Sequence, residues 1–156
     1  MPAALADGRE DPPIRETSMQ DCIFCKIVRG DLPSARIFSN SAVMAFLDIG
    51  PLVEGHTLIV PKEHFENIWE VPPELGQELT AAMQRVGRAV MAGTGASGLN
   101  VVMNNGASAG QLVPHAHWHL IPRFEGDGLL HVRQKEYESR QRMDELAGQI
   151  RLHLAQ

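Results

Sequence analysis

Hydrophobic alternation and periodicity divide the chain into elements. "ARIFSN" (35–40) and "VMAFLDI" (43–49) are β-rich runs flanking the turn-forming cluster Ser39-Asn40-Ser41, which predicts a hairpin. "GHTLIVP" (55–61) is a third apolar run, closed by Pro61. In "VPPELGQELTAAMQRVGRAVMAG" (71–93), Leu75, Leu79, Met83, Val86 and Val90 recur at helical spacing. Pro73 suits that helix's first turn and Gly93 its end. "LNVVMN" (99–104) predicts a fourth strand and "HAHWHLI" (115–121) a fifth. A short helix is expected in "DCIFCKIVRG" (21–30), capped by Asp21 and ended by Gly30. Another is expected from Lys135 onward, with Tyr137, Met143, Leu146, Ile150 and Leu154 on one side. Five strands mostly joined by short links, with one long helix and short flanking helices, predict an α+β domain on an antiparallel sheet. The boundaries expected are a disordered tail over 1–20, a domain over 21–130 and a helical extension over 131–156.

The fifth run carries the chemistry. An extended strand sends alternate side chains to one face. His115, His117 and His119 then share a face, while Ala116, Trp118 and Leu120 share an apolar one. A merely solvated face would be served as well by Ser, Thr or Lys, yet three of the chain's seven histidines stand here. Aligned imidazoles point to metal binding, nucleophilic attack or acid–base work, since their ordinary pKa near ~6.5 leaves much of the population neutral. Just upstream, "NNGASAGQLV" (104–113) holds Gly106 and Gly110, which let backbone N–H groups approach an anion. Asn104 and Gln111 can orient that anion. Alone the loop reads as a turn; joined to the histidine strand it reads as a phosphate cradle.

Composition narrows the partners. The 156 residues suit one domain, and a net charge of −5 with no basic block argues against a nucleic-acid partner. No apolar run approaches the ~18 residues of a membrane span, so no membrane partner is expected. The N-terminus lacks an apolar signal core, so a cytoplasmic setting with reduced cysteines is expected. Cys22 and Cys25 form a C-x-x-C with three readings: a redox pair, two buried small residues, or half of a tetrahedral zinc site. The redox reading lacks its usual βαβ context. His131 and His153 lie outside these patterns and are expected at the surface.

His-φ-His-φ-His-φ-φ resembles the signature of the histidine triad (HIT) family of nucleotide hydrolases and transferases. The resemblance spans roughly residues 21–125 and includes "CIFCKIVRGDLPSARIFSN", "AFLDIGPLVEGHTLIVPKEH", "GLNVVMNNGASAGQLVPHAHWHLIPR" and "GDG". The small bacterial, Hint-like members look most similar. The resemblance implies cleavage of a nucleoside phosphate derivative at the α-phosphorus, with His117 attacking to form a nucleotidyl-histidine. It implies His119 and His56 beside the phosphate, Asn104, Gly110 and Gln111 in the phosphate loop, and Asp48 on the ribose hydroxyls. Phe24, Phe46, Ile49, Ile23, Ile27 and Leu58 match base-pocket positions, although spacing alone makes them ordinary core. His64 and His115 match the residues that complete a structural Cys₂His₂ zinc site with Cys22 and Cys25. A homodimer built on the long helix and an edge strand is implied too, although that helix could equally bury its face within one subunit.

One departure is Leu112, where Hint-type relatives often carry a hydroxyl residue aimed at the leaving group. Leucine cannot relay a proton, which puts a phosphoramidate preference in doubt and keeps dinucleoside polyphosphates open as substrates. Two other classes remain: a nucleotide-binding regulator with little turnover, acting through protein partners, and a zinc-dependent adaptor. The ligand expected for the hydrolase and for the regulator is a purine nucleotide or nucleotide conjugate.

Overall fold

A computed structural model describes residues 19–129 and 134–154. Its centre is a five-stranded antiparallel sheet in the order β1-β2-β3-β5-β4. The strands are β1 (Arg36–Ser39), β2 (Val43–Leu47), β3 (Thr57–Pro61), β4 (Gly98–Met103) and β5 (Trp118–Arg123). The expected hairpin forms from β1 and β2, and Asn40 builds it: its Oδ1 accepts from the amides of Ala42 at 2.9 Å and Val43 at 2.8 Å.

Both faces of the sheet are covered, which explains why β2 and β3 read as continuous apolar runs. On one face lies α2 (Gly76–Thr94), entered through a 3₁₀ turn at Pro73–Leu75. Its Leu79, Ala82, Val86 and Val90 pack with Val43, Ala45, Ile59, Ala116, Trp118 and Leu120; Leu75 and Met83 border that core. At Gly87 α2 meets the sheet closely, since a Cβ there would stand 2.8 Å from Leu99 Cδ2. On the opposite face α1 (Ile23–Arg29) brings Phe24 and Cys25, with Cys22 just before it, onto Met44, Phe46, Leu58 and Val60. The two cores use alternate residues of the same strands.

Several boundaries differ from expectation for local reasons. Asp21 does not cap α1; Cys22 is the N-cap and makes no side-chain capping bond, its sulfur being turned to other neighbours. Gly30 ends α1 as expected, in the left-handed conformation. Helix α2 runs past Gly93 to Thr94 and ends at Gly95, which has the left-handed φ of 74°. The fifth strand begins at Trp118 rather than His115, because the Ala116 amide donates to Phe65 O at 2.6 Å instead of joining a ladder. The C-terminal helix α3 covers Arg140–Arg151, capped by Ser139, whose Oγ accepts from the Arg142 amide. Tyr137 precedes it, and Ile150 and Leu154 are exposed, so the expected apolar face is not buried. His153 is exposed as expected; of the tail expected over 1–20, residues 1–18 lie outside the described residues, as does His131, while Met19 and Gln20 are helical.

Candidate active site and metal-binding cluster

The alternation through residues 115–120 survives even where the ladder does not. Ala116, Trp118 and Leu120 enter the α2 core. The histidines face the α1 side, with His119 beside Leu58 in the β3–β5 register. His117 is 4% exposed, and its Nδ1 lies 2.6 Å from the His115 carbonyl oxygen. A carbonyl only accepts, so Nδ1 carries the proton and donates, and Nε2 keeps its lone pair. Burial holds the His117 pKa below the ordinary imidazole value, against the opposing pull of that hydrogen bond and of Asp48.

The tautomers of its neighbours follow by the same reasoning. The Leu52 amide donates to His56 Nδ1 at 3.2 Å, so in neutral His56 the proton sits on Nε2. His56 Nε2 then donates to His119 Nδ1 at 2.9 Å. His119, having accepted at Nδ1, carries its own proton on Nε2. Burial lowers the His56 pKa, with Asp48 opposing. His119 is pushed down to about 4 by burial, then by His117 and His56. The site therefore sets a neutral lone pair on His117 next to a neutral N–H donor on His119, ring centroids 4.9 Å apart.

A cleft of about 890 Å³ opens over these rings. His117, His119, Asp48 and Gly110 line it, as do all six apolar residues expected around a base. Phe24, Phe46 and Leu58 are buried at its floor, while Ile23 and Ile49 are exposed at its mouth. Leu112 also lines it and is 92% exposed. Asp48 Oδ1 accepts from the Gly50 amide at 2.9 Å, and Oδ2 lies 3.7 Å from His56 Nδ1, which leaves carboxylate lone pairs free. Gly110 takes φ 86°, a value that strains any L side chain, and so bends the loop at the cleft wall.

Below the cleft a second cluster forms. One ligand atom each from Cys22, Cys25, His64 and His115 lies within 4.8 Å of the others. His115 Nδ1 is 3.4 Å from Cys22 Sγ and 3.6 Å from Cys25 Sγ, and His64 Nδ1 is 3.3 Å from Cys25 Sγ. The edges of a tetrahedron of zinc ligands are about 3.3–3.8 Å, from bond lengths near 2.0–2.3 Å. His115 Nε2 donates to Pro61 O at 2.9 Å, which leaves Nδ1 as the lone pair facing the sulfurs. Both thiols are free. Burial, and then Cys22, push the Cys25 thiol up to about 12; burial brings His115 down to about 4. The donor set, its spacing and its orientation fit a tetrahedral metal. Asp48, His56 and His119 also bring ligand atoms together, but the two imidazoles are spent on each other.

A family model, the HIT domain, matches residues 29–126. The chain belongs to the histidine triad family. It is 46% identical over 110 residues to a Bacillus subtilis protein named hit, covering 70% of this chain and 76% of that one. An adenylylsulfatase of Arabidopsis thaliana is 35% identical over 141 residues, 88% of this chain and 72% of its own. An adenosine 5'-monophosphoramidase of Schizosaccharomyces pombe is 40% identical over 102 residues, 65% and 74% of the two chains. Among solved structures, a HIT-family member from Bacillus subtilis superposes with a TM-score of 0.79 at 40% identity, covering 87% of this chain and 99% of that one. A zinc-bound histidine triad protein from Mycobacterium smegmatis gives 0.68 at 36% identity, covering 84% and 99%. The chain is a Hint-like HIT protein.

In this HIT domain the expected residues gather at two adjoining places, with three qualifications, the first being that the Gly110 amide is spent within the loop on Ala107 O at 3.0 Å. Gln111 does not face the cleft: its Oε1 accepts from the Gly106 amide at 2.8 Å, and its Nε2 donates to Glu66 O at 2.6 Å and Val113 O at 3.0 Å. Its side chain braces the loop from within. Asn104 is half-buried and reaches only Gly110 O, at 3.5 Å. Sequence reasoning missed Asn105, whose Oδ1 accepts from the Ile68 amide at 2.8 Å, and the carbonyls of Phe65 and Glu66. Backbone carbonyls carry no residue signature, so only the neighbouring "PKEH" motif pointed to that segment.

Proposed function

We propose that this HIT protein hydrolyses a nucleoside phosphoramidate or a dinucleoside polyphosphate at the α-phosphorus, through a nucleotide bound covalently to His117. The observation that carries the reading is the tautomer of His117: Nδ1–H tied to His115 O, with the Nε2 lone pair left for attack beside an apolar cleft. In the first step a bond forms between Nε2 and phosphorus as the bond to the leaving group breaks. The His119 Nε2–H hydrogen-bonds the departing atom and steadies the charge it gains, with His56 Nε2–H donating to His119 Nδ1 behind it, and the proton the leaving group takes up comes from water. In the second step water attacks phosphorus as the bond to His117 Nε2 breaks, its proton goes to solvent, and the nucleoside monophosphate and free His117 are released. Asp48 takes the ribose hydroxyls, and the apolar floor takes the base, a purine in this reading. The side chain of Asn104 takes the phosphate oxygens, and the left-handed turn at Gly110 leaves them room to approach. Leu112 supplies no proton, so the hydrogen bond from His119 Nε2–H is what this site offers the departing atom. The adenylylsulfatase and monophosphoramidase relatives support α-phosphorus chemistry.

We further read the Cys₂His₂ cluster as a structural zinc site, since four protein ligands leave no open position for substrate. Residues 21–130 are read as the catalytic domain and 131–156 as an extension, in a homodimer working in the cytoplasm. The direct test offers adenosine phosphoramidate and diadenosine polyphosphates side by side to the wild type and His117→Ala. Release of adenosine monophosphate from at least one substrate by the wild type alone is expected. Equal rates for both proteins, or none with either substrate class, would overturn the reading.

A further inference from the structure

Three of the polar connections of His115 run to different places. Its ring Nδ1 faces both sulfurs of the cluster, its Nε2–H is tied to Pro61, and its backbone oxygen accepts the His117 proton. The group that fixes the nucleophile's tautomer thus belongs to a residue of the metal cluster.

His64, the other histidine of the cluster, leads a second connection. Three of the four residues that follow it hold the active site from below. Phe65 O accepts from the Ala116 amide at 2.6 Å, inside the histidine run. Glu66 O accepts from Gln111 Nε2 at 2.6 Å. Ile68 donates its amide to Asn105 Oδ1 at 2.8 Å. Gln111 passes the anchor on to the Gly106 amide, across the base of the phosphate loop. Phe24, between the two cysteines, adds a packing link: its ring lies edge-on to His115 at 5.8 Å, to His117 at 5.1 Å and to Phe46 at 5.7 Å.

We propose that His115, the 64–68 segment and Gln111 are positioning residues that transmit the state of the Cys22/Cys25/His64/His115 cluster to both halves of the catalytic site, the nucleophile and the phosphate loop. The inference rests on the hydrolase reading for what the site does, but on the hydrogen bonds alone for how it is held. The physical reason is stiffness. Thiols donate and accept weakly, so an unfilled cluster ties His64 and His115 loosely. A filled one fixes both to within tenths of an ångström, and about 1 Å of misplacement can cost about 100-fold in rate.

The test uses full-length protein in three forms: zinc-loaded, stripped by a chelator, and reloaded with zinc chloride, with metal content measured for each. Imidazole ¹⁵N spectra report the His117 tautomer, titration calorimetry the affinity for adenosine monophosphate, and circular dichroism the fold. Stripped protein should keep its secondary structure, lose the single Nδ1–H form of His117, and bind the nucleotide about 10- to 100-fold more weakly, as outer-shell changes typically do. Reloading should restore both. Gln111→Ala, which removes no ligand, should keep its metal and its fold yet bind the nucleotide more weakly. Unchanged His117 spectra after stripping would overturn the proposal. So would wild-type affinity in Gln111→Ala, or global unfolding on stripping, which would make the cluster a support of the whole fold. Neither readout needs turnover, so a protein that binds the nucleotide without cleaving it would refute the hydrolase and leave this coupling standing.

Discussion

His119 is the residue on which leaving-group departure turns. Its neutral form persists down to about pH 4 because burial, His117 and His56 all disfavour the charge, with only Asp48 opposing. Two consequences follow. The acid limb of kcat/KM set by this group should lie well below the ordinary imidazole value near ~6.5, and a pH–rate profile checks it. The unfolded chain takes up this proton near ~6.5 and the folded chain only near 4. Its contribution to stability is therefore complete above ~6.5 and is lost as pH falls towards 4. His119→Ala should be a selective lesion. Turnover of an amine-leaving substrate should fall by about 100-fold or more, the scale of losing one hydrogen-bond donor to developing charge. An adenylate with a nitrophenolate or fluoride leaving group, which departs without a proton, should lose much less. Equal losses for both would remove His119 from that role.

At the level of elements, the two-sided sheet is what places the histidines. Leu120 is fully buried between β5 and α2. Leu120→Ala should cost about 2–5 kcal/mol, read as a lowered urea midpoint with unchanged slope. This layer was legible in the sequence because strand period and helix period are written in side-chain polarity: Val43 and Ala45 against Met44 and Phe46, or Ala116 and Trp118 against His115 and His117. The start of the histidine strand was not, since a backbone oxygen of Phe65 captures Ala116 and leaves no mark in residue type. Cap positions moved by one or two residues for similar reasons, as when Gly95 rather than Gly93 took the left-handed turn. Gln111 was legible as part of the loop but not as its brace, because an amide side chain serves an anion or a backbone equally well. The candidate catalytic residues were legible through motif spacing; the hydrogen bonds that set their protons needed coordinates.

For the whole molecule, β4 is an edge of the sheet, and Val101 on it is half exposed. Open edges are commonly paired or protected. In the homodimer we propose, this edge meets its copy, so sedimentation should give the mass of two chains and Val101→Asp the mass of one. A monomeric wild type would refute that assembly. No helix among the described residues is long and apolar enough to cross a membrane.

The most direct test of the central claim looks for the bond itself. Protein mixed with an adenosine phosphoramidate or diadenosine polyphosphate is quenched within one turnover, digested and analysed by mass spectrometry. Adenylate mass is expected on the peptide bearing His117, absent from His117→Ala and discharged by water on longer incubation. Steady release of adenosine monophosphate with no label on that histidine, and at the same rate in His117→Ala, would contradict it.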